Sequence, residues 1–188
     1  MPSSLIFITG AIGFIGSVTT REAFVLMSDF THESSFSGKL NGVYYVLHMA
    51  SPIAAPGPDA TNKETYFKPA ANGTIAILKA AAKIPSINKV IVTSSILALV
   101  PMSGVPNGET LHDFSTAMNM YHPSKIVANN ASWKFKKTAS SAFLLSVHIL
   151  DVAEAHIRTL DDKVANGSKY ILTAGKHTWI DVVALLKK

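Results

Sequence analysis

Two residues in the second half of this 188-residue sequence have types and spacing that could transfer a proton. Tyr121 and Lys125 stand four positions apart, and on a helix this spacing places both side chains on one face. A lysine ammonium beside a phenol stabilises the phenolate, so the tyrosine could exchange a proton with a substrate oxygen near neutral pH. A solvent-exposed pair on a helix surface would show the same spacing, and the pattern alone does not separate the two.

A glycine at every third position marks a second segment, ITGAIGFIGS. Gly10, Gly13 and Gly16 come where an apolar run gives way to a helical pattern. Such a loop allows a tight turn, a close backbone approach to a pyrophosphate, and free N–H groups at a helix N-terminus. The segment predicts a dinucleotide site, although glycines could also serve only a tight strand-to-helix turn. No lysine follows the last glycine, which excludes a P-loop.

Hydroxyl side chains form a third segment, Thr93-Ser94-Ser95, at the end of another apolar run. A hydroxyl at the carboxyl end of a parallel strand points into the crevice where such sheets bind ligands. Single serines at such places are more often turn formers that hydrogen-bond the backbone. The three segments, in this order, indicate a functional site more specifically than any one of them does.

These segments need a scaffold, and the apolar runs predict one. We predict strands at Leu5–Thr9, Tyr44–Met49, Lys89–Thr93 and Lys169–Thr173, and helices at 14–22, 64–83, 120–137, 152–161 and 178–187. Apolar strands that alternate with helical patterns are typical of a parallel sheet covered on both faces. The predicted fold class is therefore α/β, with a Rossmann-like doubly wound parallel sheet. We also expect Asp151 to cap the helix that begins at Val152.

Composition limits the class of protein further. Hydrophobic residues make up 48% of the chain and charged residues 15%, which favours a buried core over disorder. The absence of cysteine excludes disulfides and thiolate metal sites, and the seven histidines show no metal-ligand spacing. The net charge of +5 is scattered along the chain, so we expect no nucleic-acid partner. Without a membrane-length apolar run or a basic leader, we expect a cytoplasmic protein that does not contact membranes.

The three segments, with the blocks between and after them, resemble the extended short-chain dehydrogenase/reductases of the epimerase/dehydratase type. Within them, the sequence is most similar to the branch of dihydroflavonol reductases, cinnamoyl-CoA reductases and fungal ketone/aldehyde reductases. The blocks are ITGAIGFIGS, NGVYYVLHMASP, NGTIAILKAA, KVIVTSSILAL, YHPSKIVANNASWKF, LDVAEAHIRTL and KYILTAGKHTWIDVVALLKK. The resemblance implies an NAD(P)H-dependent oxidoreductase that reduces a small-molecule ketone or aldehyde by hydride transfer.

The resemblance also implies roles for single residues. Ser95, or its neighbour Ser94, would hydrogen-bond the substrate carbonyl. Tyr121 would donate the proton, and Lys125 would hold the nicotinamide ribose and stabilise the tyrosine phenolate. The expected cofactor is NADP, with NAD as the alternative. The residues implied to contact the cofactor are Gly10, Gly13, Phe14, Ile15, Gly16, Asp29, Phe30, Ala50, Ser51, Tyr121 and Lys125.

Asp29 has two interpretations. It stands 19 positions after Gly10, close to the spacing of the acidic residue that binds the ribose 2′-hydroxyl of a dinucleotide. Its context, SDFT ahead of GVYYVLHMASP, instead matches the family's pair of an aspartate and a hydrophobic residue beside the adenine. We favour the second interpretation, with Asp29 and Phe30 as that pair.

Two segments of the family have no counterpart in this sequence: the second strand with its helix, and most of the substrate lid. We therefore predict a sheet reduced in strand number, with a nucleotide-binding core over residues 1–140 and a remnant of the substrate side over 141–188. Phe24–Met27 is expected to pair with Leu5–Thr9 in the vacated place. Two functions stay open: an impaired reductase, which we favour, and a non-catalytic nucleotide-binding or interaction remnant. The substrate and the oligomeric state are not predicted.

Overall fold

A computed structural model of the chain describes residues 5–19, 27, 29–51, 63–95, 98, 124–128, 130, 139–144 and 148–172. The strands are β1 (Leu5–Thr9), β2 (Val43–His48), β3 (Lys89–Thr93), β4 (Ala139–Leu144) and β5 (Lys169–Leu172). The helices are α1 (Gly16–Thr19), α2 (Lys63–Ala82), α3 (124–128) and α4 (Ile149–Arg158), with a 3-10 helix at Glu33–Phe36. Of the helices in this part of the chain, none combines the length and apolarity that a membrane crossing demands.

The five strands form one parallel sheet in the order β1-β2-β3-β4-β5. Thr9 at the end of β1 lies opposite His48 at the end of β2, and Thr93 at the end of β3 lies opposite Ala142 of β4. Because all the strands run in the same direction, their carboxyl ends meet at one edge of the sheet. That edge is where the polar residues that follow β1, β2 and β3 come together.

Both faces of the sheet are covered. On one face Val46, Val90 and Val92 pack in a buried cluster with Ile77 of α2 and with Phe36. On the other face Leu47 and Ile91 pack with Leu160, which follows α4. Neighbouring residues of one strand thus face opposite layers, and both layers are apolar, as a parallel sheet between helices requires. The predicted Rossmann-like α/β fold is confirmed.

The predicted bounds of β1 and β3 agree with the structure, and β2 begins and ends one residue earlier than predicted. β4 was not predicted. α4 begins at Ile149 instead of Val152, so the predicted cap at Asp151 is wrong. The N-cap is His148, whose Nδ1 accepts a hydrogen bond from the Leu150 N–H at 3.3 Å, and Asp151 lies in the first turn.

Other predictions fall on residues outside the described part of the chain. The proposed strand Phe24–Met27 is among them, apart from Met27, which is assigned to no strand or helix and packs against the apolar cluster around Phe36. The predicted helix at 178–187 also lies outside, and that at 120–137 is described only over 124–128 and at 130. The pairing of Phe24–Met27 with β1 stays a prediction.

A buried lysine ties the sheet to the carboxyl end of α4. Lys89, the first residue of β3, is 4% exposed. Its Nζ donates hydrogen bonds to the carbonyl oxygens of Thr159, Asp161 and Val164 at 3.2, 2.7 and 3.0 Å. Thr159 is the C-cap of α4, and Asp161 and Val164 lie in the turns that follow it. A cation beside the carboxyl end of a helix is also favoured by the helix dipole. The ammonium therefore satisfies these carbonyls and fixes the position of α4 against β3.

Lys89→Met should lower the free energy of unfolding by about 2 kcal/mol, because it removes three charge-assisted hydrogen bonds, one of them to the buried Thr159 carbonyl. Lys39→Met is the matched control, since Lys39 Nζ also donates to a backbone carbonyl, that of Ser35 at 2.9 Å, but does so in solvent. We expect the control to change stability by less than about 0.5 kcal/mol. Urea unfolding of both variants measures the difference, and equal effects would contradict this role of Lys89.

Candidate active site

The glycine loop begins directly after β1 and is held close to the segment that follows β2. Gly10 has φ +77°, and a Cβ there would lie 2.8 Å from the backbone N of Ala50 and 3.0 Å from its Cα. The Gly13 N–H donates to the Gly10 carbonyl at 2.9 Å, which closes the turn. A Cβ at Gly16 would lie 2.8 Å from the Cα of Ala11. Only glycine fits at Gly10 and Gly16, so the spacing of the motif has a steric cause.

Gly10→Ala should destabilise the protein by about 2 kcal/mol, since it adds crowding against Ala50 to the strain of a positive φ. Gly38→Ala is the matched control, because Gly38 has φ +71° with nothing within 4 Å of a Cβ. The control carries the backbone strain alone, for which we expect about 1 kcal/mol. The two free energies of unfolding, measured in urea, should therefore differ, and an equal loss would show that the approach to Ala50 is not tight.

Phe14 and Ile15, the two residues between the second and third glycines of the loop, differ in exposure. Phe14 is 82% exposed, whereas Ile15 is partly buried and its carbonyl accepts hydrogen bonds at the start of α1, from the Val18 N–H and from the Thr19 N–H and hydroxyl. An aromatic ring left in solvent at the mouth of a strand-to-helix turn is available to a ligand. Ile15 instead joins the loop to the helix that follows it.

Ala50 and Ser51 follow β2 and lie against the end of β1. The Ala50 N–H donates to Thr9 Oγ1 at 3.3 Å, and the Met49 N–H donates to the Thr9 carbonyl at 3.1 Å. Ser51 Oγ accepts a hydrogen bond from Lys125 Nζ at 2.6 Å. The segment after β2 thus connects the glycine-loop strand with the lysine that the sequence singles out.

Lys125 lies on α3 and is mostly buried, with its ammonium at a cavity on the carboxyl edge of the sheet. The cavity is lined by His48, Ser51, Thr74, Thr93, Ser94 and Lys125, among others. Burial lowers the pKa of Lys125 from 10.5 to about 8. The ammonium therefore still carries its charge at pH 7, in a place where water screens it less than at the surface.

Of the two candidate serines, Ser94 lies on the cavity wall beside Lys125. Ser95 follows it, and its carbonyl accepts a hydrogen bond from the Ala98 N–H at 2.9 Å. Tyr121 lies outside the described residues, so its predicted position beside Lys125 stays a prediction.

Asp29 and Phe30 make contacts of two different kinds. The Asp29 carboxylate accepts the Thr31 N–H at 2.7 Å and pairs with exposed His32 at 3.5 Å; the hydrogen bonds with Thr31 lower the carboxyl pKa. Phe30 turns inward, with its ring centroid 6.4 Å from that of His48, and it packs so closely on α2 that no Cβ would fit at Gly73. The structure brings Phe30 to the underside of the site, whereas the bonds of Asp29 are local.

Sequence reasoning missed several polar residues of this edge, above all His48 and His156. His48 lies between Thr9 and Thr74, with its Nδ1 at 2.7 Å from Thr9 Oγ1. His156 of α4 is fully buried; its Nδ1 is 2.7 Å from the Val152 carbonyl, and its Nε2 is 2.7 Å from Thr93 Oγ1. A usable signal was present for His48, because it is the one histidine in the run Val43–His48 and it ends that run. Within the part of the chain that the structure describes, no group of acidic or histidine side chains could hold a metal.

Comparison with known proteins identifies the family. The sequence profile of the 3-beta hydroxysteroid dehydrogenase/isomerase family matches residues 17–138. The chain belongs to this family. Members of the reductase branch are among its relatives: ketoreductase sphI of Aspergillus fumigatus is 32% identical over 284 residues, covering 100% of this chain and 84% of that enzyme. The match is longer than the 188 residues of this chain, so parts of the ketoreductase have no counterpart here.

A plant reductase and a solved structure extend the comparison. Anthocyanidin reductase of Arabidopsis thaliana is 35% identical over 124 residues, which are 60% of this chain and 36% of that enzyme. The crystal structure of Gre2 from Candida albicans in complex with NADPH superposes with a TM-score of 0.81 at 18% identity, over 98% of this chain and 82% of that one. At such identity the structural match shows the fold alone. The resemblance to extended short-chain dehydrogenase/reductases that the motifs predict is confirmed.

Proposed function

We propose that this member of the 3-beta hydroxysteroid dehydrogenase/isomerase family is an NADP-dependent reductase of a small-molecule ketone or aldehyde. The observation that carries the proposal is the buried Lys125 ammonium, which meets Ser51 and Ser94 in one cavity at the carboxyl edge of the parallel sheet. This edge is where open α/β sheets bind their ligands. The ketoreductase relative, matched over the whole of this chain, supports the same class of reaction.

The glycine loop fits a dinucleotide. Gly10 and Gly16 allow the close packing of this loop against the backbone, and a glycine-rich loop between the first strand and its helix is where parallel α/β sheets bind a pyrophosphate. We propose that Gly10, Gly13, Phe14, Ile15 and Gly16 contact the pyrophosphate side of the cofactor. Asp29 and Phe30 would flank the adenine, and Ala50 and Ser51 the ribose. The NADPH in the Gre2 complex supports NADP as the cofactor, with NAD as the alternative.

The chemistry divides between the cofactor and the chain. The nicotinamide, when bound, supplies the hydride that is added to the carbonyl carbon. Ser95, or Ser94 on the cavity wall, donates a hydrogen bond to the carbonyl oxygen and holds it in place. Tyr121 gives its phenolic proton to that oxygen, so the product is an alcohol. Lys125 holds the nicotinamide ribose with its ammonium and stabilises the phenolate left on Tyr121.

Further parts of the proposal concern the context of the site. We propose that the protein acts in the cytoplasm on a free small molecule, with no nucleic-acid or membrane partner. We further propose that residues 1–140 form the nucleotide-binding core and that 141–188 are the remnant of the substrate side.

The test is direct binding followed by turnover. NADPH should quench the intrinsic protein fluorescence with a dissociation constant below about 1 mM, and generic ketones or aldehydes should then be reduced with loss of the nicotinamide absorbance. NADH tested in parallel decides between the two cofactors. Absence of binding for both at millimolar concentration would overturn the proposal. Binding without turnover of any carbonyl in the panel would point to the alternative, a non-catalytic nucleotide-binding remnant.

A further inference from the structure

A buried histidine in the cavity wall takes no part in the proposed reaction. His48, the last residue of β2, is 2% exposed. Its Nδ1 lies 2.7 Å from Thr9 Oγ1 on β1, and its Nε2 lies 3.4 Å from Thr74 Oγ1 on α2. Three elements of the fold therefore meet at one imidazole, which forms part of the cavity wall.

The hydrogen bonds around this ring have only one consistent direction. Thr74 Oγ1 donates its proton to the Ala70 carbonyl at 2.9 Å, so toward His48 it can only accept. The proton of the neutral ring is therefore on Nε2, and Nδ1 accepts from the Thr9 hydroxyl. Thr9 Oγ1 in turn accepts the Ala50 N–H at 3.3 Å. The chain of bonds thus runs from α2 through His48 to the backbone beside Ser51.

Ser51 is the residue that receives the Lys125 ammonium, at 2.6 Å. We propose that His48 is a positioning residue, which through Thr9 and the Ala50-Ser51 backbone holds the Lys125 ammonium in the cavity. Only the expected effect of His48 on cofactor binding rests on the proposed function. The position of Lys125 itself is a property of the free protein.

The neutral imidazole suits this role because it presents a donor and an acceptor at fixed positions. Burial, with a smaller effect from Lys125, lowers the pKa of His48 from 6.5 to about 4, so the ring is neutral under ordinary conditions. Among the cavity-lining residues that the structure describes, His48 and Lys125 are the titratable ones. A protonated ring would donate from Nδ1 as well and would force the Thr9 hydroxyl to turn away. Phe30, packed edge-on against the imidazole, limits its rotation.

Two substitutions of His48 distinguish the hydrogen bond at Nδ1 from the one at Nε2. In His48→Asn the amide oxygen is attached to Cγ, as Nδ1 is, and can accept the Thr9 hydroxyl. In His48→Gln the amide lies one bond further out, near the place of Nε2, and leaves Thr9 without its acceptor. Thr9→Val breaks the same link from the other side without altering the histidine. His156→Gln is the control, since it removes another buried histidine that has no bond to Ala50 or Ser51.

The readout is the reactivity of the Lys125 amine in the protein without cofactor. Labelling with an acylating reagent over a pH series, followed by peptide mass spectrometry, gives the pKa of this one amine. The wild type should titrate near pH 8. In His48→Gln and Thr9→Val the released side chain should reach water, and its pKa should rise toward 10.5. Labelling at pH 8 would then fall by up to about 100-fold.

His48→Asn and His156→Gln should keep the wild-type profile, although both lose stability. The inference is overturned if folded His48→Gln and Thr9→Val label Lys125 as the wild type does, or if His156→Gln shifts the profile equally. The NADPH dissociation constant, measured on the same variants, should rise about 10-fold in His48→Gln and stay close to wild type in His48→Asn. A wild type that fails to bind NADPH refutes the proposed function, whereas the labelling result still decides the role of His48.

Discussion

Lys125→Met should lower kcat/KM for carbonyl reduction by at least about 100-fold while leaving the melting temperature unchanged or higher. The loss follows because the substitution removes the ammonium that the proposed reaction uses to hold the ribose and to stabilise the tyrosine phenolate. Methionine has a similar length and fills the same space, so the cavity wall is retained. Initial rates at saturating and limiting NADPH separate the loss of binding from the loss of turnover.

Lys125→Met is expected to keep or gain stability because the wild type buries a charged side chain at this position. The pKa of Lys125 is lowered from 10.5 to about 8 by burial, so the folded state disfavours the ammonium. Since the unfolded chain holds more protons between these values, stability rises with pH across that window, and at pH 7 the cost is fully present. Methionine removes this cost, of about 2–3 kcal/mol, against the loss of the ammonium's polar contacts, among them the hydrogen bond to Ser51.

Lys39→Met controls for the general effect of removing a positive charge, because Lys39 is exposed and bonds only to the Ser35 carbonyl in the described structure. It should change neither the kinetics nor the melting temperature. A Lys125→Met variant that loses activity only in proportion to lost stability would show that Lys125 is structural. The proposed role in the reaction would then be wrong.

The sequence alone predicts the scaffold well where local patterns dictate it. Strands β1 and β3 have the predicted bounds, because each is a short run rich in β-branched and other apolar residues, although β1 at the edge of the sheet is less buried than β3. The glycine loop is equally local: the turn at Gly10 needs a positive φ and a close approach to Ala50, and both requirements select glycine at a fixed place after a strand. Such features are visible in the sequence because their causes lie within a few residues.

Features whose causes lie far apart in the chain are not visible in this way. β4, with the sequence ASSAFL, has two serines where the other inner strands are apolar, and it is a strand because β3 and β5 pair with it on both sides. His48 forms hydrogen bonds with Thr9 and Thr74, which are 39 and 26 positions away in the sequence, so no local sequence pattern predicts these bonds. The start of α4 was missed because a histidine, His148, caps it instead of the expected aspartate.

Acid should destabilise the protein through His48 before its carboxylates titrate. The pKa of this histidine is 6.5 in the unfolded chain and about 4 in the fold, where burial opposes the charge. Between these two values the unfolded state binds more protons, so the free energy of unfolding rises with pH. The contribution of His48 is fully present above pH 6.5 and is lost as the pH falls through about 4.

The shift in the pKa of His48 sets the size of this loss of stability, which is about 3 kcal/mol between pH 6.5 and about pH 4. His156 acts in the same direction, since burial also lowers its pKa. His48→Asn has no titrating group at this position but keeps an acceptor for Thr9, so its stability should depend less on pH than that of the wild type. Urea unfolding at intervals from pH 7 to pH 4 gives both curves. The free energies of unfolding of the two proteins should approach one another as the pH falls, because only the wild type must release a proton from this site to fold. Parallel curves would mean that the fold does not hold His48 neutral.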